Sequence, residues 1–366
     1  MTREQEGSEI VLQLTHGDNN PRNSEGAFAT LADGRILFAY SRFYGTGGDD
    51  HGFADICVRT ADATGRGWSA EDTTLVKNEG GCNVMSVSLL RLLDGRIALF
   101  YLVKNGLDDC RLRMRVSADE AASWSNAVCC IPAPGYFVVN NDRVIQLRGG
   151  RLVAPASFHR TRKAAPRKDD YSGLDGRGIA IFFLSDDAGA TWRESKDWWA
   201  LPERSGAGLQ EPGVVELNDG RLYGYCRTDR GCQYELFSED GGETWTPPRP
   251  ASFLSPCSPL SIKRLPATGG LLAVWNDHDP RWGEPVGGIR PHHGRTPLVT
   301  AVSRDEGRTW THHRRVECAP DHGYCYTAIH PLADAVLLAY CCGSYQTGIL
   351  ADSCVRRLSL DWLHGA

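Results

Sequence analysis

Short apolar runs broken by Asp-Gly or Gly-Gly pairs recur along the whole chain, and their period belongs to strands, not helices. The clearest copies are LADGRILFAY at Leu31–Tyr40, LLDGRIALFY at Leu92–Tyr101, LRGGRLVAPA at Leu147–Ala156 and LNDGRLYGYC at Leu217–Cys226. Looser copies are LPATGGLLAVW at Leu265–Trp275 and HPLADAVLLAY at His330–Tyr340. Each predicts a tight hairpin turn feeding a β-rich run. The turn centres near Gly34, Gly95, Gly150, Gly220, Gly269 and Asp334 lie roughly 50 to 70 residues apart, room for a four-stranded sheet with its loops.

A second phrase follows at fixed places. It reads SADEAASW at Ser117–Trp124, SDDAGATW at Ser185–Trp192, SEDGGETW at Ser238–Trp245 and SRDEGRTW at Ser303–Trp310, with a looser TADATGRGW at Thr60–Trp68. Ser and Asp can accept backbone N–H bonds in a turn, Gly can take positive φ, and Trp can fold back as an apolar plug. In the Ser117 copy Ala121 stands where the others have Gly. A two-part phrase repeated along the chain predicts an all-β fold: a six-bladed β-propeller of four-stranded antiparallel blades, read as one domain over 1–366. A β-sandwich is the alternative, but it leaves the repetition unexplained. Lys163–Gly178 is the most loop-like stretch and reads as a surface insertion.

Composition narrows the function. Among 366 residues, 41% are hydrophobic and 23% charged, and the net charge of −5 provides no general basic field for nucleic acid or anionic membrane. No apolar run reaches membrane-spanning length, and the start MTREQEGSEI lacks the basic and apolar regions of a secretory leader. The 13 cysteines include adjacent pairs at Cys129–Cys130 and Cys341–Cys342 but no C-x-x-C spacing. Reduced thiols in a cytoplasmic protein fit this better than a disulfide framework or zinc site, although a secreted or periplasmic protein that had lost its leader would read alike.

Repeated S-x-D-x-G-x-T-W tips in a six-bladed propeller resemble the Asp-box signature of the sialidase (neuraminidase) superfamily, and the likeness covers nearly the whole chain. The resemblance implies an exo-acting glycoside hydrolase that releases a terminal sialic (nonulosonic) acid. It further implies an arginine triad for the substrate carboxylate, an Asp acid/base and a Tyr nucleophile assisted by Glu. Carried onto this chain, the first triad arginine is Arg22, where Arg22-Asn23-Ser24-Glu25 replaces the family's usual R-I-P. The acid/base is Asp50, with Asp55 five residues on, Arg42 upstream and Asp49 as the fallback. Glu211 and, 16 residues later, Arg227 match the assisting Glu and second arginine, and Arg295 matches the third. Tyr326, in GYCYTAIHP, matches the nucleophile; Tyr324 is the alternative, since period-2 alternation points both rings to one face.

Arg42, Arg143, Asn83 and Tyr324 are further candidates for substrate contact, and Ser86, Asn140, Asn141 and His159 occupy comparable places beside strands. The His-rich stretch His278–Gly294 has no standard metal spacing and reads as a loop near the mouth. No metal or cofactor is implied, and the expected partner is a sialylated or other acidic glycan.

The residue types suit the chemistry. A nonulosonic acid carries its carboxylate on the anomeric carbon and repels an Asp or Glu nucleophile, whereas a neutral phenol escapes that repulsion. Glu211 could accept the phenol proton, and the arginines could hold the carboxylate by charge-assisted, partly bidentate bonds. Two rivals remain: a glycosidase or lyase acting on another acidic sugar of uronate type, and a non-catalytic glycan-binding propeller.

Overall fold

A computed structural model describes residues 6–163, 171–283 and 294–365. The predicted turns lead from the innermost strand of each blade to the next. In the first, Leu31 N–H donates to the Arg35 carbonyl at 2.8 Å with Gly34 at φ +87°, and the pattern returns at Leu92, Leu147, Leu217 and Leu265.

Blade I comprises Asn23–Thr30, Ile36–Phe43, Ala54–Ala61 and Thr73–Val76. Blade II comprises Asn83–Arg91, Ile97–Gly106, Asp109–Ser117 and Val128–Cys129. Blade III has an interrupted inner edge, Gly135–Val138 and Ile145–Gln146, followed by Leu152–His159, Ile179–Ser185 and Arg193–Ala200. Blade IV runs Gln210–Glu216, Leu222–Arg227, Cys232–Ser238 and Arg249–Leu254; blade V runs Ser261–Arg264, Leu271–Asn276, Leu298–Ser303 and Thr311–Glu317.

Blade VI takes Cys325–Pro331, Ala335–Cys341 and Ser353–Ser359 from the end of the chain and its outermost strand, Ser8–Leu14, from the beginning. Blades II and III depart from the expected independence. Gly135 and Tyr136 pair parallel to Asp109 and Cys110, joining both blades into one nine-stranded sheet. The described α-helix is confined to Leu360–His364, and no described helix is long and apolar enough to cross a membrane.

The core is a ring of interblade layers. Leu37, Ile56 and Val58 of blade I pack on Val84, Leu99 and Tyr101 of blade II, while the opposite face of blade I, Phe28, Phe38 and Tyr40, packs on Leu337 and Val355 of blade VI. Both faces of the inner strands are thus buried, which is why those strands read as continuous apolar runs instead of alternating ones.

The Ser-x-Asp tips close the ends of the third strands as their residue types require. In the Ser185 copy, Gly189 N–H donates to Ser185 Oγ at 2.9 Å, and Thr191 donates N–H and hydroxyl to the two Asp187 oxygens at 2.9 and 2.6 Å. Trp192 Nε1 returns to the Gly189 carbonyl at 3.1 Å. Gly189 has φ +92°; Ala121, its counterpart in the Ser117 copy, holds φ +68° despite its Cβ. These tips lie on the rim opposite the starts of the inner strands, so they set the frame without entering the site.

Candidate active site

The site is built from the other rim, where inner strands begin and second strands end. Glu25, Ser86, Asp142, Glu211 and Tyr326 have φ between +46° and +60° at these inner edges. The ladder register slips at Ser24/Ala27, Met85/Ser88, Gln210/Gly213 and Cys325/Ala328. These are β-bulges, which break the alternation and redirect one side chain per strand. They direct Glu25, Ser86, Glu211 and Tyr326 into one polar cluster.

Arg22 is the most heavily held of these groups. Its guanidinium, 1% exposed, donates from Nε to Ser24 Oγ at 2.8 Å, from Nη2 to Glu25 Oε1 at 2.6 Å and from Nη1 to Asp50 Oδ1 at 2.6 Å, and it lies over the Phe43 ring. The other Glu25 oxygen accepts from the Ser86 hydroxyl. Ser24 and Glu25 thus clamp Arg22 from the start of the strand that follows it, the structural content of the departure from R-I-P. Burial raises the Glu25 pKa above its ordinary value against the pull of Arg22.

Asp50 stands at the tip of the loop between the second and third strands of blade I, its side chain half-exposed. The protein packed around it opposes its charge, but Arg22, then Lys104, outweigh this and hold its carboxyl well below the usual carboxylate range. Lys104 is buried and was not singled out by the sequence. Its Nζ donates to the Asp50 carbonyl at 2.7 Å, as Asn83 Nδ2 does at 2.9 Å while also holding Gly52 O. Asn83 is therefore occupied in pinning the loop and does not present its amide to a ligand. Asp49 caps the turn by accepting from His51 N–H at 2.8 Å. Asp55 accepts from Asn78 N–H at 2.8 Å, outside the cluster.

Opposite Asp50, Glu211 Oε1 accepts from Arg227 Nη1 at 2.8 Å and from the Tyr326 hydroxyl at 3.2 Å. Burial and then the Glu211 charge push the Tyr326 pKa well above the ordinary phenol value, so the hydroxyl is protonated in the resting site. Arg295 lies against the Tyr326 ring, 5.4 Å from guanidinium carbon to ring centroid, and donates from Nη1 to Cys325 Sγ at 2.9 Å. The proposed triad and Asp50, Glu211 and Tyr326 thus share one cluster.

Three candidates lie elsewhere. Arg42 is paired with Asp72 at 3.1 Å, beside Tyr40 and Arg59, on the outer side of blade I. Arg143 plugs the central channel, donating to Tyr225 Oη, Ser261 Oγ and the Leu260 carbonyl, where it ties blades III, IV and V together. Tyr324 packs between blades V and VI against Tyr340 and Val316. The bulge falls at Tyr326 itself, whose φ of +57° breaks the alternation that would have set both rings on one face.

Asn141 belongs to the support of the site. Its Nδ2 donates to Gly26 O at 2.8 Å and Tyr326 O at 3.0 Å, spanning the axis from blade III to blades I and VI. His159 is buried with Nδ1 on the Asp175 carbonyl, and burial lowers its pKa. Tyr171, from the expected insertion at Lys163–Gly178, stacks on His51 at 4.0 Å, and Gly294 leads directly into Arg295. Residues 164–170 and 284–293 of those two loops lie outside the described residues. Among the described residues no group of three or more His, Cys, Asp or Glu is placed to hold a metal ion.

The BNR repeat-like domain matches residues 34–338. The chain belongs to the BNR repeat-like family. Its propeller fold is shared with sialidases of known structure. An anhydrosialidase of Macrobdella decora is 28% identical over 239 residues, a match that takes in 61% of this chain and 28% of that protein. This BNR-repeat chain therefore corresponds to little more than a quarter of that relative. Among solved structures, a protein of unknown function from Dyadobacter fermentans superposes with a TM-score of 0.72 at 17% identity, over 96% of this chain and 99% of its own. A Trypanosoma rangeli sialidase bound to 2,3-difluorosialic acid superposes with a TM-score of 0.71 at 15% identity, over 98% of this chain and 60% of its own. At such identities these two likenesses speak for the fold.

Proposed function

We propose that this BNR-repeat propeller is an exo-acting, sialidase-like glycoside hydrolase that releases a terminal nonulosonic acid with retention. The observation that carries the reading is the Tyr326 hydroxyl 3.2 Å from Glu211 Oε1, within a cluster that also holds Arg22, Arg227, Arg295 and Asp50. A glycan-binding propeller needs the arginines but has no use for a phenol on a buried carboxylate. The Trypanosoma rangeli protein of the same fold carries its fluorinated sugar as a covalent intermediate, in keeping with a nucleophile of this kind.

In this mechanism the substrate carboxylate enters among the three arginines, fixing the anomeric carbon beside Tyr326. Tyr326 attacks that carbon while its proton passes to Glu211, and Asp50 gives a proton to the departing glycosidic oxygen. Water then attacks the same carbon, giving a proton to Asp50, and the phenolate leaves and recovers its proton from Glu211. A cleft of about 520 Å³ beside Tyr44, Asp49, His51 and Phe53 leaves room for the leaving sugar next to the Asp50 loop.

A fluorogenic sialoside assay tests the reading. Wild type should turn over, and Tyr326→Phe should lose roughly 10³-fold or more in kcat. No turnover on any nonulosonic acid glycoside would sink the assignment.

A further inference from the structure

A sulfur atom stands near each arginine of the proposed carboxylate site. Arg227 Nε donates to Cys257 Sγ at 3.3 Å, Arg295 Nη1 donates to Cys325 Sγ at 2.9 Å, and Cys341 lies within the electrostatic reach of Arg22. None of the thirteen cysteines is in a disulfide. The proposed chemistry uses no thiol, so these groups need another account.

Cys325 and Cys341 are direct partners in the antiparallel ladder between the first two strands of blade VI. Facing residues in such a ladder have Cα atoms about 4.5–5.5 Å apart, inside the span a disulfide bridges. Cys325 also immediately precedes Tyr326, and both it and Cys341 are buried, so an oxidant must reach them through the substrate site. Burial opposes the ionisation of Cys325, yet the Cys341 sulfhydryl and the Arg295 guanidinium together hold its pKa below the ordinary thiol value. Cys341 is shifted the other way, by burial first and then by Cys325, which makes Cys325 the attacking thiolate and Cys341 the resolving thiol.

We propose that Cys325 and Cys341 are an oxidation-sensitive pair in the floor of the site, closing to a disulfide under hydrogen peroxide and thereby switching turnover off. The Cys325 thiolate attacks one peroxide oxygen and expels hydroxide, leaving a sulfenic acid. The Cys341 sulfur then attacks the Cys325 sulfur and expels the hydroxyl as water once the thiol proton is transferred. In sum, two thiols and one peroxide give one disulfide and two waters, with two electrons passing from sulfur to the peroxide bond.

The consequence for turnover is geometric and rests on the function proposed above. Facing side chains in a ladder have Cβ atoms about 4.5–5.5 Å apart, whereas a disulfide draws them to about 3.8 Å. The two strands must approach by about 0.7–1.7 Å between them, which displaces Tyr326 next to Cys325. A displacement of that size at a reacting group lowers the rate by about 10²-fold.

The test treats the full chain with graded hydrogen peroxide, blocks remaining thiols under denaturing conditions and maps peptides without reduction. A cross-linked pair containing Cys325 and Cys341 is expected. Retention of both alkylatable thiols, or a bond joining Cys342 to Cys354 in its place, overturns the assignment. Because this readout needs no substrate, it stands or falls apart from the sialidase reading. Turnover should fall by at least tenfold in step with the cross-link and return with dithiothreitol; full turnover in the cross-linked protein overturns the switch. Cys341→Ser should stop at a sulfenic acid on Cys325 that a dimedone probe labels, and absence of that label overturns the order of steps.

Discussion

At the residue scale, the pair to watch is Arg22 and Asp50. With 2.6 Å between Nη1 and Oδ1, Asp50 is ionised in the free protein, whereas its proposed role requires a proton. An entering carboxylate resolves this. It competes for Arg22 and brings another negative charge to the site, and both effects raise the Asp50 pKa toward and above the ordinary range. Binding of a sialic acid analogue should therefore be accompanied by proton uptake at acidic pH, so affinity should strengthen as pH falls. Calorimetry in buffers of different ionisation enthalpy measures this, and zero uptake would contradict it. Asp50→Asn removes both the competitor and the acid. It should lower KM while cutting kcat by about 10²–10⁴-fold, a split that loss of a merely structural residue would not give. Arg295→Lys keeps the charge but loses the planar fork, and a roughly 30-fold or greater fall in kcat/KM is expected from a loss of about 2 kcal/mol or more. Steady-state kinetics with the same sialoside would register it.

At the element scale, the bulges decide which residues meet. The chain order of Arg22, Asp50, Glu211, Arg227, Arg295 and Tyr326 was legible because each stands beside a turn or strand whose place the repeats fix. The orientations were not legible. Glu25, Ser86, Asp142, Glu211 and Tyr326 all hold positive φ without being Gly, so no residue type advertises the bulge. Period-2 reasoning therefore put Tyr324 with Tyr326. It could not show that Asn83 faces the Asp50 loop or that Arg143 enters the channel, since both contacts link segments far apart in sequence. Lys104 escaped notice for a related reason: a lysine ending an apolar strand usually reaches solvent, but here it turns to the Asp50 carbonyl. The bulge at Tyr326 also depends on a distant contact, the Asn141 amide that joins Tyr326 O to Gly26 O. Asn141→Ala leaves those two acceptors short of a donor and loosens the phenol relative to Glu211. A tenfold or greater fall in kcat with KM nearly unchanged is expected; an unchanged kcat would show that the bulge holds itself.

At the scale of the whole molecule, six turns and the Ser-x-Asp tips sufficed to number the blades, because each is a local signal repeated along the chain. Closure has no such signal. Ser8 pairs with Leu358 and Leu14 with Ser353, contacts between opposite ends of the sequence that no window of neighbouring residues could reveal. The joining of blades II and III at Gly135–Tyr136 is hidden for the same reason. Closure has a measurable role. Leu14 is buried, Val11 and Leu12 pack against the layer shared by blades I and VI, and Arg356 donates to Ser8 Oγ at 3.0 Å. Removing residues through Leu14 forfeits this burial, about 3 kcal/mol or more, and leaves Ser353–Ser359 as an exposed edge. The truncated protein should melt several degrees lower, about 5 °C, and should associate through the bared edge. Thermal unfolding and size-exclusion chromatography read the two effects separately. If the N-terminal strand is the clasp of the ring, both must appear; a truncated chain with unchanged melting and no association would mean that the remaining interblade layers hold the ring closed without it.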